Sequence, residues 1–566
     1  MISKKPSFNP DAVLKDAISR HQAGDLDAAT LLYRKLLDLS PDNPQVLTNL
    51  GTISLQQGNT AEGIKLLSKS LRISPAQPVA LINQGMALQD LRRFDEALAS
   101  FDLLIELKPD FAGAYINRGD TLRDLKRFEE ALASYDRALA LQPDNAEIYI
   151  NRGNTLQDLM RFEDALASYG RAIALKPGFA EIYNNCGNAL RDLGRIEEAL
   201  ANYGRAIALK PDFADTYYNR GNILRDLKRF DEALANYDRA IALKPDFAKA
   251  YWNKSILQIL VGDYEQGWRL FEWRWKSLEN IDVRNFPQPL WLGELPIADK
   301  TILIYQEQGF GDAIQFCRYA SMVESLGANV IIEVLAPLVS LVATLKGNFT
   351  IVEKGQPLPH FDLQCPVMSL PLAFKTIVST IPAEIPYLYT TPAKQREWHN
   401  RLGDKTGLRV GLVWSGSAMH GNDRNRSIPL KLFEPLFKLP IEIHSLQKEL
   451  REEDRDAMGN YQRIGFHQEY LHDFSDTAAL IQEMDVVISV DTSVAHLAGA
   501  LGKPVYILLP FMPDYRWMLD RADSPWYPTA TLFRQTEAGN WPGVISEVTN
   551  KLHPQTKAVQ ASTCRT

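Results

Sequence analysis

The sequence predicts a two-part chain of class α + α/β. An N-terminal all-helical solenoid over residues 8–279 precedes a pair of parallel-sheet α/β lobes. Three observations predict it. Prolines, glycines and ring residues recur at a constant interval through the first half. From Lys300 that period gives way to short β-branched runs separated by helical patterns. The 566 residues exceed what one compact core holds.

In the first half, Pro41, Pro75, Pro109, Pro143, Pro177, Pro211 and Pro245 are spaced 34 residues apart. Gly51, Gly85, Gly119, Gly153, Gly187 and Gly221 keep the same interval, as do Ala97, Ala131, Ala165, Ala199 and Ala233. Phe101, Tyr135, Tyr169, Tyr203 and Tyr237 supply a ring in each unit. A unit such as FAGAYINRGDTLRDLKRFEEALASYDRALALQP holds two amphipathic helices. Its glycine and alanine allow close helix approach, and its proline ends the second helix. This order and period are the tetratricopeptide signature. Eight registers fit 8–279, with the first two and the last degenerate, as end caps are.

One helical position carries Asn49, Asn83, Asn117, Asn151, Asn185, Asn219 and Asn253. Asparagine is a mediocre helix former, so propensity does not account for the ladder. Its amide both donates and accepts, which suits either the backbone of an extended peptide in the groove or a helix-to-helix bond inside the scaffold. Arg118, Arg152 and Arg220 stand where the repeat usually has leucine, as groove cations or as a solvated edge with packed stems. Trp252, Trp268, Trp273, Trp275 and Trp291 cluster around the junction 280–296, as glue between the last repeat and the next domain or as a stacking surface.

In the second half, TILIY (301–305), NVIIEV (329–334), FTIVEK (349–354) and FDLQCP (361–366) read as strands, with a helix from Asp312 to Leu326. After IPAEIPYLYTTP (382–392), strands resume at RVGLVW (409–414), IEIHSL (441–446), DVVISV (485–490) and PVYILL (504–509). Strand–helix alternation implies two Rossmann-like lobes, 297–392 and 400–553, with a ligand at the carboxyl ends of the strands. Residues 554–566 read as a disordered tail.

Two loops carry chemistry. QEQGFGDAIQF (306–316) turns on Gly309 and Gly311 into a helix that opens at Asp312, which either caps that helix or faces the cleft. Without GKS or GKT it is not a nucleoside-triphosphate loop. SVDTSVAHLAGALGKPVYILLP (489–510) ends a buried strand at Asp491 and leads into a short helix bearing His496. Free N–H groups of Thr492, Ser493, Val494 and Ala495, with the positive end of the helix dipole, suit a diphosphate, and His496 is placed to donate to it. The pair Asp454 and Asp456 lies in the charged run KELREEDRD and reads as a solvated helix rather than a metal site.

Composition excludes other classes. Net charge is −7, from 62 basic and 69 acidic residues, so nucleic acid and anionic membranes are not general partners. Cys186, Cys317, Cys365 and Cys564 are scattered without metal or disulfide spacing. The start MISKKPSFNPDAVLKD lacks an apolar signal, and no run approaches the roughly 20 residues of a membrane helix. A cytoplasmic location is expected.

Together the two loops resemble family 9 glycosyltransferases, the heptosyltransferase group. Gly311-Asp312 matches that family's GD pair. Asp491-Thr492-Ser493 through His496-Leu497-Ala498, Ala500 and Gly502-Lys503-Pro504 matches its nucleotide-sugar diphosphate motif. The resemblance implies a GT-B-like fold over 297–553, with Asp312 as general base. Ser415, Gly416 and Ser417 resemble another donor-phosphate loop, and Arg426 stands where the family has a lysine, without the tryptophan that follows it there. The implied reaction is inverting sugar transfer from a nucleotide sugar, a co-substrate, with no cofactor and no metal. The repeat array beside such a domain also resembles the layout of O-GlcNAc transferases, whose groove carries a similar asparagine ladder, which makes a polypeptide or partner protein the expected acceptor. Two alternatives stand beside this reading: a non-catalytic interaction scaffold, and lipopolysaccharide-type heptose transfer.

Overall fold

The computed structural model describes residues 9–278, 283–458 and 463–563. The chain divides into two compact units, 1–223 and 224–566.

The first unit is a helix-pair array, in which 13-residue helices such as Ala112–Asp124 alternate with 14-residue helices such as Phe128–Leu141. The 34-residue pattern works as steric matching. An added Cβ at Gly119 would sit 2.6 Å from the Tyr135 ring, and at Gly153 2.5 Å from Tyr169. Only glycine lets the two helices close on a fully buried ring. Inside each pair the chain reverses through one left-handed residue: Gly58, Arg92, Lys126, Met160 and Gly194, again 34 residues apart. A side chain there costs energy that glycine avoids.

The second unit opens with the helices Phe230–Leu243, Ala248–Val261, Tyr264–Phe271 and Arg274–Ser277, then turns to α/β. Its first sheet contains β1 (Thr301–Tyr305), β2 (Asn329–Val334), β3 (Phe349–Glu353) and β4 (Leu363–Pro366), in the order β3-β2-β1-β4. Its second contains β5 (Leu408–Val413), β6 (Ile441–Ser445), β7 (Ile464–Gly465), β8 (Val486–Val490), β9 (Val505–Leu509) and β10 (Ala530–Arg534), in the order β10-β9-β8-β5-β6-β7. Every pairing between these strands is parallel. Apolar runs such as LRVGLV are buried along their whole length, as a sheet covered on both faces requires.

Several expectations need correction. The helix expected from Asp312 to Leu326 starts at Phe310 and is interrupted by a tighter turn at Cys317–Tyr319 before Ala320–Ser325. β7 and β10 escaped the sequence reading: β7 has two residues, and β10 follows the proline-punctuated SPWYPT. The final helix, Trp541–Thr563, runs through Pro554 and past the point where a disordered tail was expected. Thr556 Oγ1 donates to the His553 carbonyl and Gln555 Nε2 to the Tyr506 hydroxyl, which tie the chain down where proline breaks the bonding pattern. Cys564 lies outside the described residues, and Cys186, Cys317 and Cys365 are free, buried thiols. Asp454 is not solvated. It is 4% exposed and accepts from Trp414 Nε1 at 2.8 Å.

The tryptophans of the last repeat act as glue within the second unit. Trp268 is 2% exposed and meets Phe271, Phe316 and Tyr515 edge-on, and Tyr251 stacks on Trp273 at 4.0 Å. Beneath them Arg274 is fully buried. It donates to both carboxylate oxygens of Glu307 at 3.1 Å, to Glu272 Oε1 at 2.6 Å and to Ser369 Oγ at 2.7 Å. Glu307 belongs to the loop that follows β1, so the last repeat is bonded to a loop of the cleft.

Candidate functional site

The carboxyl ends of β1, β5, β6, β8 and β9 open into one cavity of about 1220 Å³ within the second unit. Asp312, Ser415, Gly416, Ser417 and Arg426 line it, as do Asp491, Thr492, Ser493, Val494 and His496. The structure therefore brings the predicted base and nearly the whole predicted donor set to one place.

The loop after β1 is shaped by its own polar groups. Gln306 donates to the carbonyls of Gln308 and Gly309 and accepts from the Leu335 amide, while Glu307 is held by Arg274. Asp312 is the third residue of the helix Phe310–Phe316, and its Oδ2 accepts from the Gly309 amide at 2.9 Å. It thus serves both readings, capping the helix while lining the cavity. Its Oδ1 is taken by Arg516, which also donates to Asp514 Oδ1 at 2.8 Å and to Gln315 Oε1 at 2.7 Å.

The helix Ser493–Ala500 follows Thr492, whose backbone is extended at φ −143°. One expectation fails here. The Ala495 amide is not free, because it donates to the Thr492 carbonyl at 3.0 Å, as the first turn tightens. Thr492, Ser493 and Val494 remain as the cavity-facing positions. The two helix starts meet closely, and an added Cβ at Gly311 would lie 3.0 Å from His496 Cδ2 and 3.6 Å from Ser493 Cα. His496 is 4% exposed, sits 3.0 Å through Nδ1 from the Tyr527 hydroxyl and 3.9 Å through Nε2 from Asp491, and stacks on Trp517.

Arg426 joins the remaining two loops. It donates to the Asp491 carbonyl at 2.9 Å, and an added Cβ at Gly416 would fall 2.4 Å from its guanidinium, so glycine is what leaves it room. Ser415 is fixed by Gln447, whose amide donates to the serine hydroxyl and accepts from the serine N–H. Ser417 accepts from the Met419 amide.

The electrostatics are uneven. Burial raises Asp312 above the ordinary carboxylate range, and Arg516 works against that. Burial, and then the nearby Asp514, push Asp491 up to about 6. Burial, with Arg516 and Arg318 nearby, holds His496 well below its usual value. A neutral imidazole keeps one N–H, and the Tyr527 contact on Nδ1 leaves Nε2 to face Asp491 and the cavity.

The asparagine ladder is half-buried, and five of its amide nitrogens bond inside the scaffold. Asn49 donates to the Tyr33 hydroxyl, Asn83 to Thr52 Oγ1, Asn151 to Asp120 Oδ1, Asn185 to Asn154 Oδ1 and Asn219 to Asn184 Oδ1. Each bond reaches the preceding unit, as the helix-to-helix reading expects, and the Asn185 carbonyl oxygen accepts from Asn184. Asn117 occupies the same helical position, and Asn253 the corresponding one in the second unit. Arg118 and Arg152 are paired, Arg118 with Asp102 and Ser134 and Arg152 with Asp136 and Ser168.

Sequence reasoning missed the role of Arg516, Trp517 and Tyr527. They lie in DYRWMLDRADSPWYP (514–528), which the sequence suggests as a cover over the nucleotide but within which it assigns no roles. It also missed that Ile256, Leu257 and Leu260, on the helix Ala248–Val261, line the same cavity.

Comparison with known proteins agrees at both ends of the chain. Residues 20–82, 79–111, 119–159, 161–190, 187–224 and 214–247 match tetratricopeptide repeat families. The N-terminal region is a tetratricopeptide array. Residues 472–509, which include β8 and the Ser493–Ala500 helix, match glycosyltransferase family 9 (heptosyltransferase). Protein FlbA of Caulobacter vibrioides is 24% identical over 326 residues, 53% of this chain and 54% of that protein. The chain spans about half the length of this curated relative. Among solved structures, a tetratricopeptide repeat protein from Parabacteroides merdae is 18% identical, covering 47% of this chain and 98% of that one, with a TM-score of 0.36. YrrB, described as a tetratricopeptide protein with an unusual peptide-binding site, is 26% identical over 33% of this chain and 97% of that one, with a TM-score of 0.28. Among the described residues no helix is long and apolar enough to cross a membrane, and no group of three or more His, Cys, Asp or Glu is arranged to hold a metal ion.

Proposed function

We propose that the α/β region is a GT-B-type glycosyltransferase acting on a nucleotide sugar, with the tetratricopeptide array recruiting a polypeptide acceptor. One observation carries this reading: the amino end of the Ser493–Ala500 helix, Arg426 and the Asp312 carboxylate line one cavity at the carboxyl ends of both sheets.

In this scheme the donor diphosphate lies against the amides of Thr492, Ser493 and Val494, where the helix dipole and unpaired N–H groups favour negative charge. Arg426 and the Nε2–H of His496 supply further donors. The acceptor hydroxyl attacks the anomeric carbon from the face opposite the phosphate. A new C–O bond forms as the bond to the phosphate breaks, and the nucleoside diphosphate leaves with the electron pair. Asp312 takes the hydroxyl proton, and configuration inverts. Burial, which raises Asp312, makes it a better base than a solvated carboxylate.

A second reading, a non-catalytic scaffold, draws on the occupation of both Asp312 oxygens, one by Gly309 and one by Arg516. A panel of nucleotide sugars separates the two. Thermal shift reports which donor the folded protein binds, and release of nucleoside diphosphate in the presence of a peptide mixture reports turnover. Binding with turnover supports transfer. Neither binding nor turnover with any donor leaves the scaffold. Turnover with a glycolipid core but not with polypeptide would assign the heptosyltransferase alternative instead.

A further inference from the structure

The segment Asp514–Trp517 makes three contacts in three directions from consecutive side chains. Tyr515 points into the cap of the last repeat, where its ring lies 6.1 Å from Trp268 and 5.8 Å from Phe271. Arg516, 9% exposed, reaches Asp312 and Gln315, one turn apart on the Phe310–Phe316 helix. Trp517, fully buried, stacks on His496 at 5.2 Å with the ring planes 21° apart. Asp514 closes the segment on itself by accepting from both the Arg516 amide and its guanidinium. One short turn therefore touches the repeat cap, the candidate base and the candidate donor-site histidine.

We propose that Tyr515, Arg516 and Trp517 form a positioning bracket that sets Asp312 and His496 relative to each other, and that the repeat cap holds this bracket in place. The proposal rests on the glycosyltransferase reading for its catalytic consequence but not for its mechanical one. Arginine suits the task because its planar fork serves three acceptors at once: Nε to Gln315, one terminal nitrogen to Asp514 and the other to Asp312. Lysine has one charged nitrogen and cannot span them. The bracket also gives the repeats a role apart from acceptor recruitment, because without their cap Tyr515 has no socket.

Two measurements test this. The first needs no substrate. Phe271→Leu trims a ring that meets Tyr515 and Trp268. Amide hydrogen exchange should quicken at 514–517 and, with it, at 309–316 and 493–496. Quickened exchange at 514–517 with unchanged exchange at the other two segments overturns the bracket. The second uses turnover by Arg516→Lys and Arg516→Met. The expected result is a fall in kcat of about 10²-fold, with the donor KM within about 3-fold, since base alignment rather than donor binding is lost. The acid limb of the pH profile should also move to higher pH in Arg516→Met. Asp312 faces Arg516, Asp514 and His420, and Arg516 is the strongest influence there lowering its pKa. A fall in kcat with an unmoved acid limb, or a rise in KM alone, would reduce Arg516 to a structural residue. Loss of the glycosyltransferase reading would show instead as no turnover in the wild type, with the exchange coupling intact.

Discussion

Replacing Arg274 with methionine should unfold the second unit more readily than any surface change. The guanidinium is fully buried among Glu307, Glu272 and Ser369, and Glu307 is fully buried with it. Methionine fills most of the same volume, so the loss is electrostatic. Two carboxylates remain, and Glu307 has no other ion-pair partner among the described residues. Removing one member of such a pair costs about 3–5 kcal/mol. Glu307 already sits at about 7, pushed up by burial against the pull of Arg274. Without the arginine it should rise further. A carboxyl whose folded pKa lies above its unfolded value contributes stability below about 4.5 and loses it as pH rises through the folded value. The penalty should therefore be small at pH 5, where Glu307 keeps its proton in both proteins, and grow as pH rises above about 7, where the carboxyl ionises beside Arg274 in the wild type and is held protonated in the variant. Urea unfolding followed by tryptophan fluorescence reads the change, since Trp268, Trp517 and Trp526 are buried in this unit. The double variant Arg274→Met/Glu307→Gln should recover most of the loss. A single-variant penalty below about 1 kcal/mol at pH 8, or one equal at pH 5 and pH 8, would refute the reasoning.

Other expectations follow from the same geometry. Asp491→Asn should stabilise the protein by about 2–3 kcal/mol above pH 6 and not at all near pH 4, since a carboxyl raised from 3.8 to about 6 is costly only when ionised; urea unfolding across that range checks it, and a pH-independent effect contradicts it. Gly153→Ala should destabilise the array, because overpacking against Tyr169 costs about 1–3 kcal/mol against roughly 1 kcal/mol gained in helix propensity. Gly170→Ala, with nothing within 4 Å of the added carbon, should stabilise it by up to about 1 kcal/mol. Gly416→Ala should displace Arg426 from the Asp491 carbonyl and weaken nucleoside-diphosphate affinity about 10-fold by calorimetry.

The repeats were legible because their physics is local and recurs. Gly153 needs no knowledge of distant chain, as the ring it admits lies 16 residues on. Eight of the strands were equally legible, since β-branched runs buried on both faces leave a plain signature. The site was legible only where backbone geometry defines it, at Gly311, Asp312 and the turn into the Ser493–Ala500 helix. Ala495 was misjudged because a tightened first turn is invisible in composition. The asparagine ladder was visible as a pattern, but the acceptors it meets, such as Asp120 and Asn154, sit 31 residues earlier on another unit, and only packing shows which way an amide points. Arg516 was hidden for the same reason. Its partner Asp312 lies 204 residues away, and nothing in DYRW announces that arginine as its neighbour.

The most direct test pairs two measurements on Asp312→Ala: calorimetric affinity for the nucleoside diphosphate of whichever donor binds, and turnover of that donor. If Asp312 takes the acceptor proton beside a diphosphate held at Thr492–Val494, affinity should stay within about 3-fold of the wild type while turnover falls by 10²-fold or more. Wild-type turnover in Asp312→Ala would remove the base, and a wild-type protein that binds no nucleoside diphosphate would remove the site.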